Sequence, residues 1–432
     1  MISRIKGELL ARGNGMHSLR PNHPLSVRAI NAAGRTATRL GLELPSLDEE
    51  RLLAAARTQT QLDEFGPRGF REGLRSLLHS LETEAQLTTL GRIMARGQIL
   101  ALLTNRLQLV HHRKHHPELA NEEIRRPLFV LGLPRTGTTI LYGLLAQDPE
   151  HRSPLAWEVS FPCPPPETAS YDHDRRIARA DKQFQQLKKL APGFDSIHPM
   201  AARLPQECVA IFAHDFKSVQ FEATFDVPSY QEWLETQDMR PSYRFHREFL
   251  QHLQSRCPGE RWVLKTPGHL PIIDALFAEY PDAMIVQTHR DPLEVIGSVS
   301  SLECILRGAA SDAIDPHAIG RQQLALWSRQ IEMGMKARRE VHRDDRFYDV
   351  QFREILADPI ECVKQIYAYF ALPFSEETEA RMRAFLSDNS RDKHGVHRYA
   401  LADFGIDAHK AAECFHAYYE EFGIPRSDPA NL

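Results

Sequence analysis

Three short segments of this 432-residue chain carry residue types at spacings that could bind and move an anion. The first runs from Gly132 to Gly137 and continues into Thr138 and Thr139. Its glycines are spaced as in the phosphate loop G-x-x-x-x-G-K-[ST], but Thr138 stands where that loop has lysine. A threonine cannot reach a β- or γ-phosphate, so a triphosphate would be held poorly, and the cation on offer is Arg135. Main-chain N–H groups in such a loop, and in the first turn of a following helix, lack internal partners, and the helix dipole is positive there. Phosphate or sulfate suits that place. An ordinary strand–turn–helix with a polar turn would carry the same glycine pair. The apolar run Leu128–Leu131 and the two threonines at the helix start favour the anion cradle. The second segment sets Arg290 at the end of an apolar run and Ser298 eight residues later. Arginine grips phosphate in bidentate fashion and a serine hydroxyl adds a donor, although a lone strand-end arginine is commonly a surface salt-bridge partner. The third, Lys265-Thr-Pro-Gly-His269, joins a cation to an imidazole whose ordinary pKa lies near neutrality.

The elements that must position these groups read as α/β. Leu128–Leu131, Arg261–Lys265, Ala283–His289 and Arg346–Gln351 are short apolar strands, alternating with helices over Leu270–Tyr280, Leu293–Leu306 and Pro316–His342, and then to about Asp388. Such alternation implies a mostly parallel, P-loop-like sheet covered by helices on both faces, with ligands at the carboxyl ends of its strands. Arg135, Lys265–His269 and Arg290 all fall at such ends. Ser153–Val159 reads as a further strand, Phe161–Pro166 as a rigid extended loop and Asp172–Leu190 as a polar helix. Residues 191–235 read as irregular and aromatic-rich, with Phe194, Phe212, Phe216, Phe221, Phe225, Tyr230 and Trp233 forming either an acceptor pocket or simply core.

Upstream, residues 1–120 read as a helical appendage to an α/β domain over 121–432. Residues 1–46 have no assignable role. Ser46 with Glu49 suggests a capping box, Gly69–Glu84 a helix with Leu74, Leu77, Leu78 and Leu81 on one face, and Glu84–His116 one or two more helices. The run His111–His116 pairs histidines at i,i+4. A metal site would need a carboxylate or cysteine to complete it, so a cationic last turn that complements the helix dipole is the expected role, and no metal is assigned.

Composition excludes some partners. Net charge is −4, which offers no bulk attraction for nucleic acid. The six cysteines lie at least 45 residues apart, as reduced thiols of a cytoplasmic protein would, with no Cys-x-x-Cys pair. The N-terminus lacks an apolar signal segment, and no run is long enough to span a bilayer.

Together the three anion segments resemble the PAPS-dependent sulfotransferases, over roughly residues 127–400, with the helical N-terminal part similar to that of a bacterial branch. Leu133-Pro-Arg-Thr-Gly-Thr-Thr139 matches that family's loop x-Pro-[Lys/Arg]-[Ser/Thr]-Gly-Thr-[Thr/Ser] residue by residue. The resemblance implies that Arg135, Thr136, Gly137, Thr138 and Thr139 hold the 5′-phosphosulfate of 3′-phosphoadenylyl sulfate (PAPS). Arg290 and Ser298 would then hold its 3′-phosphate. Arg391-Asp-Lys-His-Gly-Val-His397 resembles a loose form of the family's closing Arg-Lys-Gly segment, so Lys393 and Gly395 join the donor site; a solvated basic turn would read the same. Lys265 would stabilise the bridging oxygen during in-line transfer to a hydroxyl or amine. Lys265–Pro271 resembles Lys-Thr-His-Leu-Pro with two residues inserted, which makes His269 the first candidate for general base; Glu207 is second, since some branches use a glutamate, and His198 third. The alternatives are a P-loop kinase or NTPase, against which Thr138 argues, and a non-catalytic nucleotide-binding protein. The acceptor, whether small alcohol, lipid or carbohydrate, and the oligomeric state are open at this level.

Overall fold

Leu128–Gly132 (β1) is buried along its whole length, as a central parallel strand covered on both faces must be. The computed structural model describes residues 23–42, 44–190, 201–389 and 400–428. Around β1 lie His151–Arg152 (β2), Arg261–Lys265 (β3), Met284–His289 (β4) and Phe347–Gln351 (β5). The five strands pair in the order β2-β3-β1-β4-β5, every pair parallel. Register sets Val130 beside Lys265 and Gly132 beside Thr288. The carboxyl ends of β3, β1 and β4 therefore share one edge, and the three anion segments leave the sheet there.

Successive side chains of a strand point to opposite faces. Accordingly Phe129, Leu131, Leu264 and Ile285 enter one core, and Leu128, Val130, Val263 and Val286 the other. The second core is closed by the Thr138–Leu145 and Pro359–Tyr369 helices. The first also takes in Leu52, Leu53, Leu103, Leu107 and the predicted Leu74, Leu77, Leu78 and Leu81 stripe, so the N-terminal helices bury their apolar faces in the same core as the sheet. At roughly 1.5–3 kcal/mol per fully buried large apolar side chain, that packing outweighs any intrinsic helix propensity.

Several expected boundaries shift for local reasons. The first capped helix is Glu49–Thr60, and its cap is Asp48, which accepts from Arg51 N at 2.9 Å. Ser46 instead accepts from Asp48 N, and Glu49 is engaged by Arg71 and Arg75 of the next helix. The stretch 84–116 holds a single long helix, Thr89–His115, with a basic last turn. The stretch read as a strand over Ser153–Val159 is instead helical at Ala156–Ser160, because Glu158 turns back to Leu155 N at 2.7 Å and pairs with buried Arg152 at 2.7 Å. Residues 201–235 are not irregular throughout: Cys208–Phe212, Gln220–Thr224 and Pro228–Glu235 are short helices. Their aromatics Phe216, Phe221, Phe225 and Tyr230 are core, while Phe194 lies outside the described residues.

Candidate active site

The loop that follows β1 is shaped by its backbone. Arg135 (φ +64) and Gly137 (φ +87) are both left-handed, and Gly137 is the N-cap of the Thr138–Leu145 helix. Alternating hand aims successive N–H groups into one concavity, which is how main chain cradles an anion. Gly132, at φ +137, has no room for a side chain: a Cβ would meet Thr288 O at 2.4 Å. The Thr136 hydroxyl turns inward, donating to Leu133 O and pairing with Thr288 Oγ1, each at 2.6 Å, so it braces the loop against β4. Thr138 is buried where a triphosphate loop would project its lysine. Thr139 is exposed and accepts from Lys265 Nζ at 3.3 Å.

The second segment meets the first. Arg290 donates from Nη1 to Arg135 O at 2.8 Å, and Arg135 donates from Nε to Ser298 Oγ at 3.1 Å. Arg290 is also fastened by Glu294 at 2.6 Å and lies 4.3 Å over the Phe352 ring, so its guanidinium is set before any ligand arrives. Arg135, Arg290 and Ser298 thus form one cationic, hydroxyl-bearing edge beside the glycine loop.

The third segment splits. Lys265, nearly buried at the end of β3, pairs with Glu207 at 2.5 Å and reaches Thr139. Glu207 is the N-cap of the Cys208–Phe212 helix, which turns its carboxylate toward the sheet edge. His269 goes elsewhere. It is 0% exposed, its Nδ1 pairs with Tyr243 OH at 2.6 Å, and its ring packs against Phe129, Phe212 and Tyr243. Desolvation, with His246 adding to it, holds its pKa well below the ordinary histidine value, so it is neutral. The inserted Pro267-Gly268 starts a 3-10 turn, Pro267–Ile272, and the turn carries the imidazole into the core. His198, Lys393 and Gly395 lie outside the described residues.

Thr266, the residue after Lys265, borders a cavity of about 60 Å³ that is also walled by Val209, Phe212, Leu234, Met239 and Ile272 and edged by Gln231. Thr266 Oγ1 and Gln231 Oε1 are buried without a hydrogen-bond partner among the described residues. By the room that one water needs, this holds a short chain of about four atoms. Sequence reasoning missed Thr288, Phe352 and Gln231. The first two stand at strand ends, which was a usable signal; Gln231 sits in a helix with no such mark. At the other end of the molecule the histidine run caps its helix, with His115 Nδ1 against His111 O at 2.8 Å and His116 paired to Glu118. Among the described residues no group of three or more His, Cys, Asp or Glu is placed to hold a metal.

Comparison with known proteins points to one family. Residues 127–376 match the family model described as the sulfotransferase family. The omega-hydroxy-beta-dihydromenaquinone-9 sulfotransferase Stf3 of Mycobacterium bovis is 24% identical over 322 residues, 71% of this chain and 78% of the relative. Among solved structures, sulfotransferase STF1 from Mycobacterium tuberculosis H37Rv is similar at 36% identity and TM-score 0.77, over 86% of this chain and 98% of that one. Sulfotransferase STF9 from Mycobacterium avium is similar at 31% identity and TM-score 0.81, over 88% and 98%.

Proposed function

The chain belongs to the sulfotransferase family, and from that premise we propose that it transfers a sulfuryl group from PAPS to an acceptor hydroxyl, with Glu207 as general base. The observation that carries the donor assignment is the contact between the two anion grips. Arg290 rests on Arg135 O at 2.8 Å and Arg135 reaches Ser298, so one doubly phosphorylated adenosine can engage both. When bound, PAPS would supply the sulfuryl group, the S–O bond to its 5′-phosphate breaking as the bond to the acceptor oxygen forms, with adenosine 3′,5′-bisphosphate as the leaving group.

The chain's own residues then divide the work. The amides of Gly137, Thr138 and Thr139, with Arg135, orient the 5′ side, while Thr136 keeps the loop in shape. Arg290 and Ser298 take the 3′-phosphate, and Lys393 and Gly395 are assigned to the same donor site on the resemblance of their segment alone. Lys265 neutralises charge that grows on the departing oxygen. Glu207, held by Lys265, accepts the acceptor's proton. His269 is left a core role by its burial and its bond to Tyr243. Residues 1–120 act as a helical extension of a catalytic domain over 121–432. The six cysteines are unpaired, which supports a reducing, cytoplasmic setting.

The cavity favours an acceptor with an apolar neck next to its reacting hydroxyl. Stf3's name specifies a hydroxylated menaquinone, and an amphiphilic alcohol of that general kind fits the apolar wall and the two unpartnered polar atoms here.

Calorimetry with adenosine 3′,5′-bisphosphate tests the reading. Micromolar or tighter binding is expected, weakened about 10–100-fold by Arg290→Ala, the cost of losing charge-assisted hydrogen bonds to a phosphate. Unchanged affinity in that variant removes the 3′-phosphate assignment, and magnesium-dependent ATP hydrolysis would point to a kinase or NTPase instead.

A further inference from the structure

We propose that the Leu25–Arg39 helix and the turn after it form a docking surface for anionic phospholipid membranes. Seven large hydrophobic side chains are exposed among the described residues, and four of them lie here: Leu25 (79%), Ile30 (37%), Leu40 (72%) and Leu42 (61%); a fifth, Ile93 (44%), is on the Thr89–His115 helix against which this one packs. Scattered exposed apolar residues are ordinary, but a concentration of this kind marks a contact surface.

The helix is apolar on two sides. Val27, Asn31 and Gly34 are buried and face the Thr89–His115 helix, where a Cβ on Gly34 would strike Thr89. Helical spacing puts Leu25, Ala29, Ala32 and Ala33 on the outward side, flanked by Arg28, Arg35 and Arg39. Arg92, next to Ile93 in the Thr89–His115 helix, donates to Pro45 O at 2.7 Å.

Charge chooses the partner. Residues 25–42 contain three arginines and no carboxylate. None of the three has an ion-pair partner among the described residues, whereas nearby Arg92 is paired to Glu82. Arg35 and Arg39, with Thr38 and Thr88, line an open groove of about 570 Å³. The one carboxylate among its described lining residues, Asp312, is already occupied by His23 at 3.0 Å. Unpaired guanidinium groups beside hydroxyls suit a phosphodiester headgroup, and exposed leucines beside them suit the acyl boundary; together they fit an anionic bilayer better than a protein partner. No helix among the described residues is long and apolar enough to cross a membrane, so attachment here is interfacial.

The surface abuts a helix that reaches the candidate site. Thr88 N and Oγ1 both donate to Ala310 O, at the end of the Pro292–Ala310 helix that carries Ser298 near its start. The helical rise between those residues is about 18 Å. The inference does not depend on the identity of donor or acceptor.

The test is co-sedimentation of the full chain with vesicles of phosphatidylcholine alone and of equimolar phosphatidylcholine and phosphatidylglycerol. Partition into the anionic vesicles only, reversed by salt, is expected. Arg35→Gln and Arg39→Gln should each lower it roughly fivefold, and the Leu40→Asp, Leu42→Asp double variant should abolish it with an unchanged thermal midpoint. If that double variant fails to fold, Leu25→Asp with Arg28→Gln takes its place. Equal partition into both vesicles, no partition, or partition that survives these substitutions overturns the proposal. So does displacement by soluble glycerol phosphate with the leucine variants unaffected, which would mark a free-phosphate site, or a concentration-dependent dimer dispersed by Leu40→Asp.

Discussion

At the scale of single residues, the site turns on which titratable group faces the sheet edge. His269 lies four residues beyond β3 and Glu207 caps the Cys208–Phe212 helix, yet the carboxylate contacts Lys265 while the imidazole contacts Tyr243 and aromatic rings. Their substitutions should therefore separate. Glu207→Gln is expected to lower kcat by at least about 100-fold, the usual worth of a general base, with adenosine 3′,5′-bisphosphate affinity changed less than about twofold. His269→Ala should leave kcat within a few-fold of the parent and cost about 2–4 kcal/mol of stability, because it opens a core cavity and strands the Tyr243 hydroxyl. Urea unfolding alongside single-turnover kinetics checks both. A kcat collapse in a stably folded His269→Ala protein would return the base to the imidazole.

At the scale of elements, two kinds of backbone position carry different loads. Gly132 and Gly137 shape the anion loop, one by close approach to Thr288 and both by positive φ. Gly132→Ala should lower stability by at least about 2 kcal/mol and remove donor binding, since the added methyl displaces the strand end that aims the loop. Asp48→Ala, by contrast, removes only a helix cap. It should cost about 1 kcal/mol and leave donor affinity as it was, measured by thermal unfolding and calorimetry on the same samples. Elements also decided where the sequence reading erred. Ala156–Ser160 became a helix because the buried Arg152–Glu158 pair holds its first turn, a tertiary bond that no local pattern announces. The leucine stripe of the Phe70–Thr83 helix was readable because its period of 3.6 is a property of the segment itself.

At the scale of the whole molecule, one extended core joins the N-terminal helices to the sheet and traps several neutral histidines. Burial pushes His214 down to about 4 and His246 and His252 down to about 3, and it holds His269 well below the ordinary value. A depressed histidine pKa means the unfolded chain takes up protons that the folded chain refuses, so stability is fully present above about pH 6.5 and declines as pH falls toward 4 to 3. The buried carboxylates Glu222 and Glu303 around Arg307 act in the opposite sense, because burial raises their pKa values and a proton retained there favours the folded state in acid. On the order of three protons should still be taken up on unfolding near pH 5, a loss of about 1.4 kcal/mol per proton per pH unit. Unfolding free energies measured between pH 7 and 5 check this; a flat profile would mean that these imidazoles are solvated in the native state.

The sequence alone determined the α/β class, the strand–loop–helix at Leu128–Leu145, the placement of Arg290 after a strand and of Ser298 on the next helix, and the family. Each of these is a local matter: an apolar run, a glycine spacing, a residue at the end of a strand. Only the tertiary structure decided that Arg290 rests on the Arg135 carbonyl, that Lys265 chooses Glu207, and that His269 is core. Those outcomes follow from strand order and register, which set Val130 beside Lys265 and Gly132 beside Thr288. Which segments become neighbours is settled by long-range burial of apolar faces, a free energy summed over residues far apart in the chain, and no window of adjacent residues contains that sum.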